Sequence, residues 1–154
     1  VEPYASSQPT PKKNATAVRS IQYNVEDVID RLQHLYSLTK ETNLLKLIKA
    51  FQVREVPLDE INNQLMALFR DHSLVEAYSL LYELNYKRFM LVIFNKIKYY
   101  GHLLDPKDIL QDVFLSVYRY PARFREDKKH AFRNWTYSII RNTIFKHLKM
   151  RDAS

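Results

Sequence analysis

Between Arg119 and Arg151 the chain carries ten Lys and Arg residues against two acids, Glu126 and Asp127. Residues 1–118 hold fourteen of each sign and sum to zero. Phe124, Phe132, Trp135, Tyr137 and Phe145 lie among those cations. Cations attract phosphates and flat rings stack on bases, so the segment has the two ingredients of a single-strand nucleic-acid surface. A solvated basic helix face over core aromatics has the same composition, so composition alone leaves both readings open.

Other residue types able to do chemistry are sparse. The histidines at 34, 72, 102, 130 and 147 show no ligand spacing on one face, and there is no cysteine, so neither a metal site nor a disulfide is expected. No Ser/His/Asp set and no carboxylate pair on a shared face suggests catalysis, so neither an enzyme nor a cofactor is expected. Glu55, Asp59 and Glu60 read as the start of a helix, and the tyrosines at 78, 82, 86, 99 and 100 as packing. His147 reads as a partly buried, hydrogen-bonded side chain. The single glycine removes glycine-rich phosphate loops and Asn-Gly or Asp-Gly hairpins, and the chain reads as all-α. No apolar run approaches the roughly 20 residues of a membrane span. The start, Val1-Glu2-Pro3-Tyr4, is no signal peptide, and a cytoplasmic setting is expected. Without an initial Met, the chain is expected to be a fragment or a processed form.

The elements that must position the basic segment follow from apolar spacing and end signals. Residues 1–21 are polar and proline-rich and read as a flexible tail. Three helices are expected over 22–72 as an N-terminal extension. Asn24 caps the first, which carries Val25, Val28, Ile29, Leu32, Leu35 and Tyr36. Leu44, Leu45, Leu47, Ile48 and Phe51 mark the second, and Leu58, Ile61, Leu65, Leu68 and Phe69, after Pro57, the third. Ser73 to Glu76 has the form of a capping box for the longest helix, with Tyr78, Leu81, Tyr82, Phe89, Val92, Ile93, Ile97 and Tyr100 inward and Gly101 as its stop. Asp105 and Pro106 open the next helix, with Ile109, Leu110, Val113, Phe114 and Val117 inward and Tyr120-Pro121 at its end. The last helix is expected over 130–150 with Phe132, Trp135, Thr136, Ile139, Ile140, Thr143 and His147 inward, Trp135 reading as core rather than contact.

In order, DPKDILQDVFLSVY at 105–118, FR at 124–125, FRNWTYSIIRN at 132–142 and HLK at 147–149 resemble region 2 of a bacterial RNA polymerase sigma factor, nearest the extracytoplasmic-function type. Such proteins carry an EDLVQEVFL-like helix, a short loop after a Phe, and an F-x-x-W-L-x-x-I-A-R-N-like helix. The resemblance spans about 74–151, and the helical domain it implies is placed at 73–151. No single word in it is diagnostic; the ordered set carries it.

The resemblance implies two partners. One is core RNA polymerase, whose clamp coiled coil would meet Asp108, Gln111, Asp112, Leu115 and Ser116; without the family these read as a solvated helix face. The other is promoter DNA, mainly the melted, single-stranded −10 element. There the loop from Phe124 to Ala131 would wall a base pocket, and Arg125, Lys128, Lys129, Arg133, Arg141, Lys146 and Lys149 would hold phosphates. Asn134 and Asn142 would meet base edges, Tyr137 and Phe145 would stack, and Ser138 belongs to the same DNA-binding set. An anti-sigma or other regulatory protein is a further partner the family implies.

The chain departs from the family pattern in several places. Lys107 stands where the clamp motif usually has an acid, and Ser138-Ile139 where primary sigma factors carry paired tryptophans. Glu126 to Lys129 is more charged than usual, and nothing after 151 resembles the helix-turn-helix domain that reads the −35 element. Residues 22–71 match nothing in the class. Three rivals stay open: a stand-alone helical nucleic-acid binder, a helical interaction module whose basic face meets an acidic partner, and a degenerate sigma-like domain that binds polymerase without starting transcription.

Overall fold

The computed structural model describes residues 24–100 and 103–153, and among them the only regular elements are helices. The six α-helices are α1 Val25–Thr39, α2 Asn43–Gln52, α3 Leu58–His72, α4 Val75–Ile97, α5 Pro106–Arg119 and α6 Ala131–Ala153. Short 3-10 turns cover Lys98–Tyr100 and Pro121–Arg123. The all-α expectation holds. The expected tail at 1–21 and the expected stop at Gly101 lie outside the described residues.

The chain divides into two compact units, one ending at Leu58 and one starting at Asp59. In the first, Asn24 Oδ1 accepts the Asp27 N–H at 3.1 Å, which satisfies one of the donors a helix start leaves over. Val28, Leu32 and Leu35 of α1 and Leu44, Leu47, Ile48 and Phe51 of α2 are buried. Leu45 points outward. An Arg54–Glu26 ion pair at 2.8 Å joins the end of α2 to the start of α1. It holds the Glu26 carboxyl below the usual carboxylate range.

The second unit holds α3 except Leu58, together with α4, α5 and α6. The expected extension ran to residue 72, whereas α3 shares this unit with the C-terminal helices. Two buried amides lock α3 to α4: Asn62 Nδ2 donates to Asn85 Oδ1 at 3.1 Å, and Asn85 Nδ2 returns the bond to Asn62 Oδ1 at 2.7 Å. Buried amides must find such partners, so the pair fixes one register of the two helices.

The capping box expected at Ser73 does not form. Ser73 is left-handed (φ 54) and its N–H bonds to Phe69 O at 3.0 Å, so it finishes α3. Leu74 is the N-cap of α4 and makes no side-chain cap bond. A residue held left-handed at one helix end cannot adopt the extended form that an N-cap needs. Lys40 and Arg54 are left-handed at the ends of α1 and α2 as well. In a chain with one glycine these posts fall to other residue types, at a steric cost of about 1–2 kcal/mol each.

The stripe expected on α4 is only partly right. Its buried residues are Ala77, Leu80, Leu81, Leu84, Asn85, Phe89, Ile93 and Ile97, while Tyr82 and Tyr100 are exposed. A helix covered on more than one side has no single apolar stripe to read. On α5 the expected inward set, Ile109, Leu110, Val113, Phe114 and Val117, is the buried set. Asp105 Oδ1 caps that helix by accepting the Lys107 N–H at 2.9 Å.

Candidate nucleic-acid interface

A line of rings runs through the second unit and fixes the basic segment to the core. Phe114 meets Phe89 at 5.4 Å, Phe89 meets Phe132 at 6.2 Å, Phe132 meets Phe124 at 6.3 Å, and Phe124 meets Trp135 at 5.5 Å. Beside it, Tyr78 packs on Phe69 and Tyr118 and donates to Phe114 O at 2.9 Å. Burial pushes the Tyr78 phenol up to about 12. These contacts orient α5 and α6 before any partner arrives.

On α6 the buried residues are Ala131, Phe132, Thr136, Ile140, Thr143 and Ile144. Trp135, Ile139 and His147, expected inward, are half-buried. Asn134, Arg141, Asn142, Phe145, Lys146 and Lys149 are exposed. At 100° per residue they and half-buried Ser138 fall within about 140° of the helix circumference. Arg133 and Tyr137 are half-buried on its flank. There they act on Arg88, whose guanidinium is pulled below its ordinary pKa first by burial, with Tyr137 and Asp59 opposing.

Arg125, Lys128 and Lys129 are exposed on the loop. Among the described residues, no ion pair engages any of the seven cations expected to hold phosphates. Phe124 is different: at 1 % exposure its ring is core, wedged against Phe132 and Trp135. It anchors the start of the loop and offers no face to a ligand.

On α5, Asp108, Gln111 and Leu115 are exposed, and Asp112 and Ser116 are half-buried. Asp112 Oδ2 lies 2.7 Å from His147 Nε2, which ties α5 to α6 and matches the hydrogen-bonded role expected of His147. A groove of about 420 Å³ lies between these helices. It brings Asp112, Leu115 and Ser116 of the set expected to meet polymerase together with Ser138, Asn142 and Lys146 of the set expected to meet DNA. Trp135, Ile139, Thr143, Arg119, Tyr120 and Arg123 complete its wall, with the Arg123 guanidinium 4.2 Å from the centre of the Tyr120 ring.

Three residues of α3 that sequence reasoning passed over hold the loop. Asn63 Nδ2 donates to Lys129 O at 2.9 Å and Lys128 O at 3.4 Å, while its Oδ1 accepts the Phe132 N–H at 2.9 Å. Arg70 Nη1 donates to Phe124 O at 3.0 Å and Glu126 Oε1 at 2.6 Å. Asp59 Oδ2 lies 2.7 Å from His130 Nδ1, close enough for an ion pair though not aligned as a hydrogen bond. The one available signal was spacing: 59, 63 and 70 share a helix face.

Residues 85–153 match the Sigma-70 region 2 family model. The match supports a sigma-70 region 2 domain over that stretch, somewhat under half of the chain. No curated protein and no solved structure matches the chain. The region 2 match takes in the C-terminal part of α4, all of α5, the loop and α6, and so contains every residue expected to meet polymerase or DNA. Asp59, Asn63 and Arg70 lie before it. Among the described residues no group of three or more His, Asp or Glu is placed to hold a metal, and no helix is long and apolar enough to cross a membrane.

Proposed function

We propose that the second unit works as region 2 of an extracytoplasmic-function type sigma factor, binding core RNA polymerase and holding the melted −10 promoter strand. The observation that carries this reading is a region 2 match over a surface whose cations, exposed except for half-buried Arg133, lack acidic partners among the described residues. An unpaired cation gives up no existing ion pair when it meets a phosphate, and each contact releases counterions from the nucleic acid. Asn134, Asn142 and Phe145 on the same face add amide and ring contacts to the exposed bases of an opened strand. The half-buried Trp135 lines the groove and can extend the stacking surface.

Asp108, Gln111, Asp112, Leu115 and Ser116 form the polymerase side. Carboxylates around the half-exposed Leu115 suit a basic helical partner, with charge setting register and the apolar centre adding affinity. The working domain is proposed at 73–151, extended back to Asp59 by the α3 brace. The helices before it serve as an extension open to regulation, including by an anti-sigma protein, and the cytoplasm is the proposed setting.

Asp112→Arg tests the polymerase side. The change also removes the contact with His147, so it is read beside His147→Ala, which removes that contact alone: both variants should stay helical by circular dichroism, and only Asp112→Arg should lose pull-down of core RNA polymerase. Capture at the parental level by a folded variant would contradict the assignment of α5 and favour a stand-alone nucleic-acid binder.

A further inference from the structure

We infer that Asn63 and Arg70, which precede the matched stretch, are positioning residues that hold the basic loop in the form that offers Arg125, Lys128 and Lys129 to nucleic acid. The inference rests on the proposal above that this loop meets DNA. Neither residue is placed to touch the strand; each acts through loop atoms.

The two residues divide the loop between them. They stand seven positions apart on α3, two turns and about 10.5 Å along one helix face. Arg70 holds the beginning of the loop through Phe124 O and Glu126, with its guanidinium 5.9 Å from the Phe124 ring centre. Asn63 holds the end through the carbonyls of Lys128 and Lys129 and the N–H of Phe132. The intervening loop is thereby fixed at both ends while its cations stay exposed.

The chemistry of the two side chains suits these posts. A carboxamide both donates and accepts, so Asn63 serves two loop carbonyls and one orphan N–H at the start of α6. Aspartate would lose the donor and leucine would lose both. The forked guanidinium of Arg70 reaches a carbonyl and a carboxylate together, which an ammonium cannot do in the same planar way. Arg70 also engages Glu126, keeping that acid occupied beside the loop's own cations. A loop ordered in advance does not lose its freedom on binding, and that saving appears as affinity.

A double-mutant cycle tests this on the full chain, with a fluorescein-labelled single-stranded oligodeoxynucleotide of mixed sequence as probe. Asn63→Ala should weaken binding roughly three- to tenfold, the scale of ordering one or two side chains. In a Lys128→Ala/Lys129→Ala background the same change should have no further effect, because the side chains it positions are gone. Trypsin cleavage after Arg125, Lys128 and Lys129 should accelerate in Asn63→Ala while the urea midpoint of the whole chain is retained. Arg70→Gln should repeat the pattern from the other end of the loop, losing its effect in an Arg125→Ala background, and decides the matter if Asn63→Ala folds poorly. Equal losses in both backgrounds, or no loss in either, would overturn the inference while leaving the loop's role in place. Unchanged binding by Lys128→Ala/Lys129→Ala itself would overturn both the loop's role and the inference.

Discussion

The two halves of the basic surface are held by different physics. The α6 half is set by burial: Phe132, Ile140 and Ile144 are in the core, and Arg141, Lys146 and Lys149 follow from the helix period. The loop half has a single core anchor, Phe124, and otherwise depends on side chains of α3 that grip its backbone. Burial couples a surface to the stability of the whole unit. Polar tethers on partly exposed groups can open without unfolding anything else. The same contrast means that the loop can be loosened by changes on α3 that leave α6 in place.

The largest effect should come from removing what both halves share. Phe132 is 1 % exposed and its ring meets Phe89 and Phe124. Phe132→Ala should cost about 3–5 kcal/mol in urea unfolding and weaken both halves together. A loss confined to one half would show that the ring does not couple them.

A smaller effect should separate the halves by pH. The Arg70 hydrogen bond holds the Glu126 carboxyl below the usual carboxylate range. A group whose folded pKa is depressed contributes fully above its unfolded pKa, and the contribution is lost as pH falls through the folded one. Loop protection from hydrogen exchange should therefore hold at neutral pH and fade below the ordinary glutamate range. The α6 amides should keep theirs until the unit unfolds, and Glu126→Gln should flatten the loop's response. Parallel loss of protection in loop and helix would erase the proposed difference between them.

What could be read from the sequence follows the same divide. α5 was legible in full, because one apolar face and an Asp-Pro start leave a single solution. The inner face of α6 was legible in large part for the same reason, although Trp135 and Ile139 proved to border a groove. Ser73 misled because its type suits an N-cap, whereas α3 runs on to take it as a left-handed end. Phe124 read as a ligand contact because an aromatic among cations looks the same whether it faces outward or inward. The partners in the Asn62–Asn85 pair and in the Asn63 and Arg70 tethers were invisible, since they lie between 23 and 69 positions apart, and the shared face of 63 and 70 does not say what it meets.

The central claim is that this surface holds an opened DNA strand. Its most direct test is fluorescence anisotropy of the full chain with one labelled oligodeoxynucleotide, single-stranded and then annealed to its complement, at about 50 and about 300 mM salt. The account predicts tighter binding to the single strand and a steep loss with salt, weaker in slope for Arg141→Ala. Equal affinity for both forms, unchanged between the two salt concentrations, would contradict it.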